Sequence, residues 1–239
     1  MASQSGEVVQ PAFPEGIDYY DPTHTACDSA ATAYLMWRIG APSHLWNPDA
    51  IDDISGRLPG KPSDNYMIFK NLLALLENGA EMQEITPFDP SKFLTRGLSY
   101  VEEHHKDDWL KEDPEDFYSY WAETLDDFTE ATADFEERTH TDLRHLFNRV
   151  IRQPNEDDLR RFLIGGYAVK AFEKTKLFNH MVVATSIRTE DSGLYITKFD
   201  PDLAHRALIN GPIVGCSLVD FCHRWIRDEG IIGVKPHLA

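Results

Sequence analysis

Three residues carry most of the chemistry this chain could perform: a thiol at Cys27, an imidazole at His180 and a carboxylate at Asp200. A cysteine nucleophile needs a neighbouring base to take its proton. That base in turn needs a carboxylate to fix its tautomer and stabilise its charged form. If the three side chains meet, the chemistry they define is attack of sulfur on an acyl carbon. A plainer reading of Cys27 stands beside this one, because free cysteine is among the most buried residue types and serves well as a small apolar core residue.

The elements that must position these groups can be read from periodicity. Around the thiol, Cys27, Ala30, Ala31, Tyr34, Leu35 and Ile39 form the stripe of an amphipathic helix that Gly40 stops. Cys27 falls in its first turn, where unpaired N–H groups and the helix dipole favour a thiolate. In the second half, Asp157 to Leu163 reads as a short helix ending at Gly165-Gly166, and YAVKAFE alternates as a strand. His180 opens HMVVATSI, whose β-branched content suits a buried strand. Glu190 to Gly193 is turn chemistry, and LYITKF returns as the antiparallel partner, ending on Asp200-Pro201. Polar residues at the ends of adjacent strands share a neighbourhood, so His180 and Asp200 are expected to meet. Ser217 caps a last helix with Leu218, Phe221, Cys222, Trp225 and Ile226 on its buried stripe, and IIGVKP reads as a final strand.

Between these regions the composition changes. Pro48 to Leu58 reads as a short helix, and Ser63 caps a longer one that Gly79 closes. From residue 89 to 161 the chain turns acidic, with Phe117, Trp121, Leu125 and Phe128 on one helical face and Leu143, Leu146, Phe147, Val150 and Ile151 on the next. This block is read as a helical insertion within a single domain covering residues 1–239, able to lie over the rest as a lid or side layer. Its acids are mainly solvated faces. His104, His105, His140 and His145 lack any spacing that selects a metal, so neither metal nor cofactor is expected. A net charge of −17 argues against nucleic acid, no apolar run approaches membrane-spanning length, and cysteines only at 27, 216 and 222 fit a reducing cytoplasm.

In this order the motifs CDSAATAYLMWRIG, GGYAVKAFEKTKLFNHMVVATSI, YITKFDP and SLVDFCHRWIRDEGIIGV resemble the papain-like cysteine peptidase superfamily, in its double-glycine (bacteriocin-processing) peptidase branch and the stand-alone amide-forming acyltransferases related to it. Cysteine first, then histidine and a carboxylate well beyond it, is the arrangement of papain-type enzymes. The resemblance implies an α+β fold, with the nucleophile helix packed on an antiparallel β-sheet. It also implies Cys27 as nucleophile, His180 as general base and then acid, and Asp200 as its orienter. Such peptidases carry a glutamine six residues before the cysteine as oxyanion donor, where this chain has Asp21. An ionised carboxylate donates no hydrogen bond, so the Cys27 N–H and the side chains of Tyr20, His24 and Thr25 become the candidate donors. The glycine that usually follows the cysteine is replaced by Asp28, an acid suited to a helix's first turn.

Three functions follow as expectations. The first is acyl transfer through a Cys27 thioester to an amine, from a small-molecule or peptide donor that a carrier protein could present. The second is hydrolysis of peptides or amides by the same acyl-enzyme, and the third is a binding module that kept the fold without the reaction. Carrier proteins are commonly acidic, and Arg144, Arg149, Arg152, Arg160 and Arg161 are the concentrated basic residues that could dock one.

Overall fold

The computed structural model describes residues 27–58, 65–104, 114–143, 147–175, 179–201 and 213–236. Helix α1 (Cys27–Arg38) is followed by a 3-10 turn at Ser43–Trp46, α2 (Pro48–Ser55) and α3 (Asn65–Glu77). Pro48 sits at the start of α2, where its missing N–H is no loss, and the Asn47 side chain accepts from the Asp49 N–H. Then come β1 (Ala80–Thr86), α4 (Pro90–Arg96), α5 (Leu98–His104), α6 (Pro114–Thr139) and β2 (Phe147–Ile151). The remainder runs α7 (Glu156–Ile164), β3 (Ala168–Lys174), β4 (Asn179–Glu190), β5 (Gly193–Phe199), β6 (Ile213–Ser217), α8 (Leu218–Arg224) and β7 (Ile231–Pro236).

The result is an α+β protein in which the described residues form one seven-stranded sheet of order β2-β1-β7-β3-β4-β5-β6. β7, last of these strands in the chain, lies between β1 and β3 and joins the early strands to the later ones. Its entry is tight. A Cβ at Gly230, whose φ is +74°, would stand 2.8 Å from the Ile85 carbonyl oxygen.

Two expectations change here. The sheet is mixed rather than antiparallel, because β2 runs parallel to β1 from Met82↔Phe147 to Thr86↔Ile151. Residues 147–151 are accordingly a strand and not a helical stripe. A short apolar run fits either period, and here the free edge of β1 offers a hydrogen-bonding ladder that decides the matter. β1 and β6 are strands beyond those expected.

Register divides the side chains between two faces. On the first, Phe172, Met181, Val183 and Phe199 meet α1, α3 and α6, and Tyr34 stacks on Phe199 at 4.3 Å between ring centroids. The second carries Val169, Ala171, Val182 and Ala184 against α7 and α8, through Leu159, Phe162, Phe221 and Trp225. Most of the acidic block lies over the first face: Phe128 of α6 stacks on Phe69 of α3 at 4.3 Å. Among the described residues no helix is long and apolar enough to cross a membrane.

Candidate active site

Cys27 begins α1, and that helix packs its buried residues on the first face of the sheet, so its N-terminal end arrives beside the start of β4. The last β4–β5 pair is Val183↔Phe199. Just beyond it, the backbone N–H of Met181 donates to Cys27 Sγ at 3.4 Å. The sulfur therefore lies at sheet level, where β5 has peeled away at Asp200-Pro201.

His180 is next to Met181 in β4 and points to the second face, opposite Glu173 of β3. Its Nε2 and Asp200 Oδ1 are 2.8 Å apart, and both residues are buried. The ring also interacts with the Cys27 thiol. Thus the structure brings Cys27, His180 and Asp200 together. Asp21, Tyr20, His24 and Thr25 lie outside the described residues, as does Ser63.

The electrostatics around the ring come from residues that sequence reading passed over. Lys198 of β5 holds Asp200 Oδ2 at 3.0 Å and Glu173 Oε2 at 2.6 Å, and Arg224 approaches Glu173 at 3.8 Å. Lys198 and Glu173 are 2% and 3% exposed. Asp200 thus presents a carboxylate, held by Lys198, directly to the His180 ring. Burial opposes charge on His180, yet hydrogen bonds with Asp200 and Cys27 and the charge of Asp200 push its pKa up to about 10. For Asp200, burial again opposes ionisation, but the His180 hydrogen bond and the Lys198 charge outweigh it and bring the carboxyl down to about 2.

A second ionic cluster lies on the other side of the sulfur. Asp28, the residue after Cys27, forms an ion pair with Lys170 of β3 at 2.5 Å and accepts a hydrogen bond from Asn71 Nδ2 of α3 at 2.5 Å. Lys170 also donates to Thr32 Oγ1 at 3.1 Å. Asp28 thus has a specific buried partner, where the sequence suggested only a favourable place in the helix dipole. Lysines inside the apolar runs YAVKAFE and LYITKF were the available signal for both clusters.

A cavity of about 890 Å³ opens beside this site, walled by α3, α6 and the sheet, with Met181 and Lys170 among its lining residues. Of the arginines considered for carrier docking, Arg149 pairs with Glu84, Arg152 and Arg161 share Asp158, and Arg160 lies 3.9 Å from Asp157. Arg144 is outside the described residues. Among those described, no three His, Cys, Asp or Glu side chains gather as a metal site. In comparisons with known proteins, no family model matches the chain and no curated protein is significantly similar to it.

Proposed function

We propose that this protein is a papain-like, cysteine-dependent acyltransferase that forms amides by way of a Cys27 thioester. The observation that carries the reading is the hydrogen-bonded His180–Asp200 pair, buried next to a thiol at a helix start. Asp200 holds Nε2, so Nδ1 is the ring nitrogen that serves the sulfur. In the first half-reaction Sγ bonds to the acyl carbon, the proton of the thiol resides on His180, and the donor's carbon–sulfur or carbon–nitrogen bond breaks. The leaving group departs with that proton. In the second, an amine attacks the acyl-enzyme, its nitrogen bonds to the carbon, the Sγ–C bond breaks, and the amine's proton passes through His180 back to sulfur.

The Met181 N–H keeps the sulfur aimed, while the Asp28–Lys170 pair fixes the turn that carries it. An amine rather than water as acceptor is favoured by the burial of His180 and Asp200 and by the helices of the acidic block over the neighbouring cavity. Intact-mass spectrometry with a panel of acyl thioesters and peptides, on the native chain and on Cys27→Ala, tests the proposal. A Cys27 adduct that an added amine converts to amide supports it. Efficient peptide cleavage without any amine-dependent product makes the protein a hydrolase instead. Iodoacetamide labelling of Cys27 no faster than of Cys216 and Cys222, whose thiols burial pushes up, points to a binding module.

A further inference from the structure

The cavity beside the site has a definite shape and polarity. Phe69 and Leu72 of α3 and Trp121 and Phe128 of α6 face Phe172 and Met181 on the sheet, so its body is apolar and largely aromatic. It crosses β4, β3, β7, β1 and β2, which at ~4.7–4.9 Å between strands makes a slot about 19 Å long. Its volume of about 890 Å³ lies within the ~300–1,000 Å³ typical of small-molecule sites.

One end borders residues that hold the nucleophile's turn. Met181 lines the cavity, and the same residue's N–H holds Cys27 Sγ at 3.4 Å. Lys170 also lines it while gripping Asp28, the neighbour of the nucleophile. The other end is acidic, formed by Glu84, Glu103, Asp228 and Glu229. The Lys and Arg side chains on the wall are already committed, Lys170 to Asp28 and Arg149 to Glu84.

We infer that this cavity receives the chain of an apolar acyl group while its carbonyl carbon is bonded to Cys27, and that it discriminates against acyl groups ending in a carboxylate. The inference rests on the acyl-transfer reading and names its donor class: unbranched or aromatic apolar acyl thioesters. An acyl carbon bonded to Sγ starts at the Met181 end, so its chain extends along the aromatic walls, where apolar surface is removed from water. A distal carboxylate would reach Asp228 and Glu229 beside the already paired Glu84 and Glu103, with Lys170 and Arg149 on the wall committed elsewhere, and like-charge repulsion with loss of hydration would exclude it.

Acylation of Cys27 by acetyl, hexanoyl, decanoyl and ω-carboxydecanoyl thioesters of N-acetylcysteamine, followed by intact mass, tests this in the native chain and in two wall variants. Ile68→Trp fills the slot and Trp121→Ala opens it, both away from Cys27, His180 and Asp200. The native chain is expected to prefer decanoyl over acetyl, and over its ω-carboxy counterpart, by about 10-fold or more, the scale at which apolar pockets discriminate. Ile68→Trp shifts the optimum towards acetyl and Trp121→Ala shifts it towards the longer chain, opposite movements that a general loss of stability cannot produce. Equal dependence on chain length in all three proteins, with Cys27 acylated, overturns the cavity assignment and leaves the acyl-transfer reading in place. No acylation of Cys27 by any donor overturns both.

Discussion

Two buried ionic clusters flank the same sulfur, and they are built for different work. Both draw on β3: Lys170 faces α1 and Glu173, three residues on, faces the opposite side. The Lys170–Asp28 cluster matches one cation with one anion, and Asn71 and Thr32 contribute further hydrogen bonds. Its contacts tie the first turn of α1 to β3 and α3, so it acts as an anchor. The Lys198–Glu173–Asp200 cluster, with Arg224 3.8 Å from Glu173, instead sets a carboxylate directly against a nearby group able to take up or release a proton, His180. The contrast teaches that a buried carboxylate paired with lysine positions, whereas one hydrogen-bonded to an imidazole also governs that ring's protonation.

The strongest way to break this contrast is to exchange the consequences of losing each acid. Asp200→Asn is expected to lower acylation roughly 10³- to 10⁴-fold, the scale seen when a triad loses its orienting carboxylate, with native folding retained. Single-turnover rates and circular dichroism on the same sample check both halves. Asp28→Ala is expected to act mainly on stability, costing about 3–5 kcal/mol in urea unfolding because Lys170 is left buried without its carboxylate. If Asp28→Ala unfolded normally while abolishing acylation, the anchor would belong to the reaction.

Stability as a function of pH separates the clusters next. His180 titrates near 6.5 when unfolded and at about 10 when folded, so its contribution is full below about 6.5 and is lost as the pH rises through 10. Asp200, with 3.8 unfolded and about 2 folded, contributes fully above about 4, and this is lost as the pH falls through 2. Stability from the pair is therefore greatest between about 4 and 6.5. Urea midpoints followed from about pH 6.5 to 10 should decline in the native chain and lose that slope in His180→Ala, whereas Asp28→Ala keeps it. The smallest effect is expected at the exposed Arg96–Glu103 pair of α4 and α5, where paired alanine substitution should leave the midpoint unchanged, as isolated surface ion pairs contribute little.

Much of this arrangement was legible in the sequence. The stripe from Cys27 to Ile39, the alternation of YAVKAFE and the hairpin from His180 to Asp200 each follow a clear period, and together they bring three distant side chains to one place. What stayed hidden depends on partners rather than period. Residues 147–151 are a strand because β1 lies beside them, and a run of five residues carries too little periodicity to announce that. Lys170 and Lys198 interrupt buried strands, yet their sequence positions give no hint that one meets Asp28 and the other Asp200. Buried charges of this kind are specified by the tertiary fold, not by local propensity.

The place of β7 in the sheet has a temporal consequence. Because it is threaded between β1 and β3, a growing chain that has already made Cys27, His180 and Asp200 still lacks the strand that unites its two sheet halves. Contacts separated by more than 150 residues, such as Met181 with Cys27, mature late in folding. During synthesis the two halves of the sheet are therefore joined only once residues 231–236 have been made.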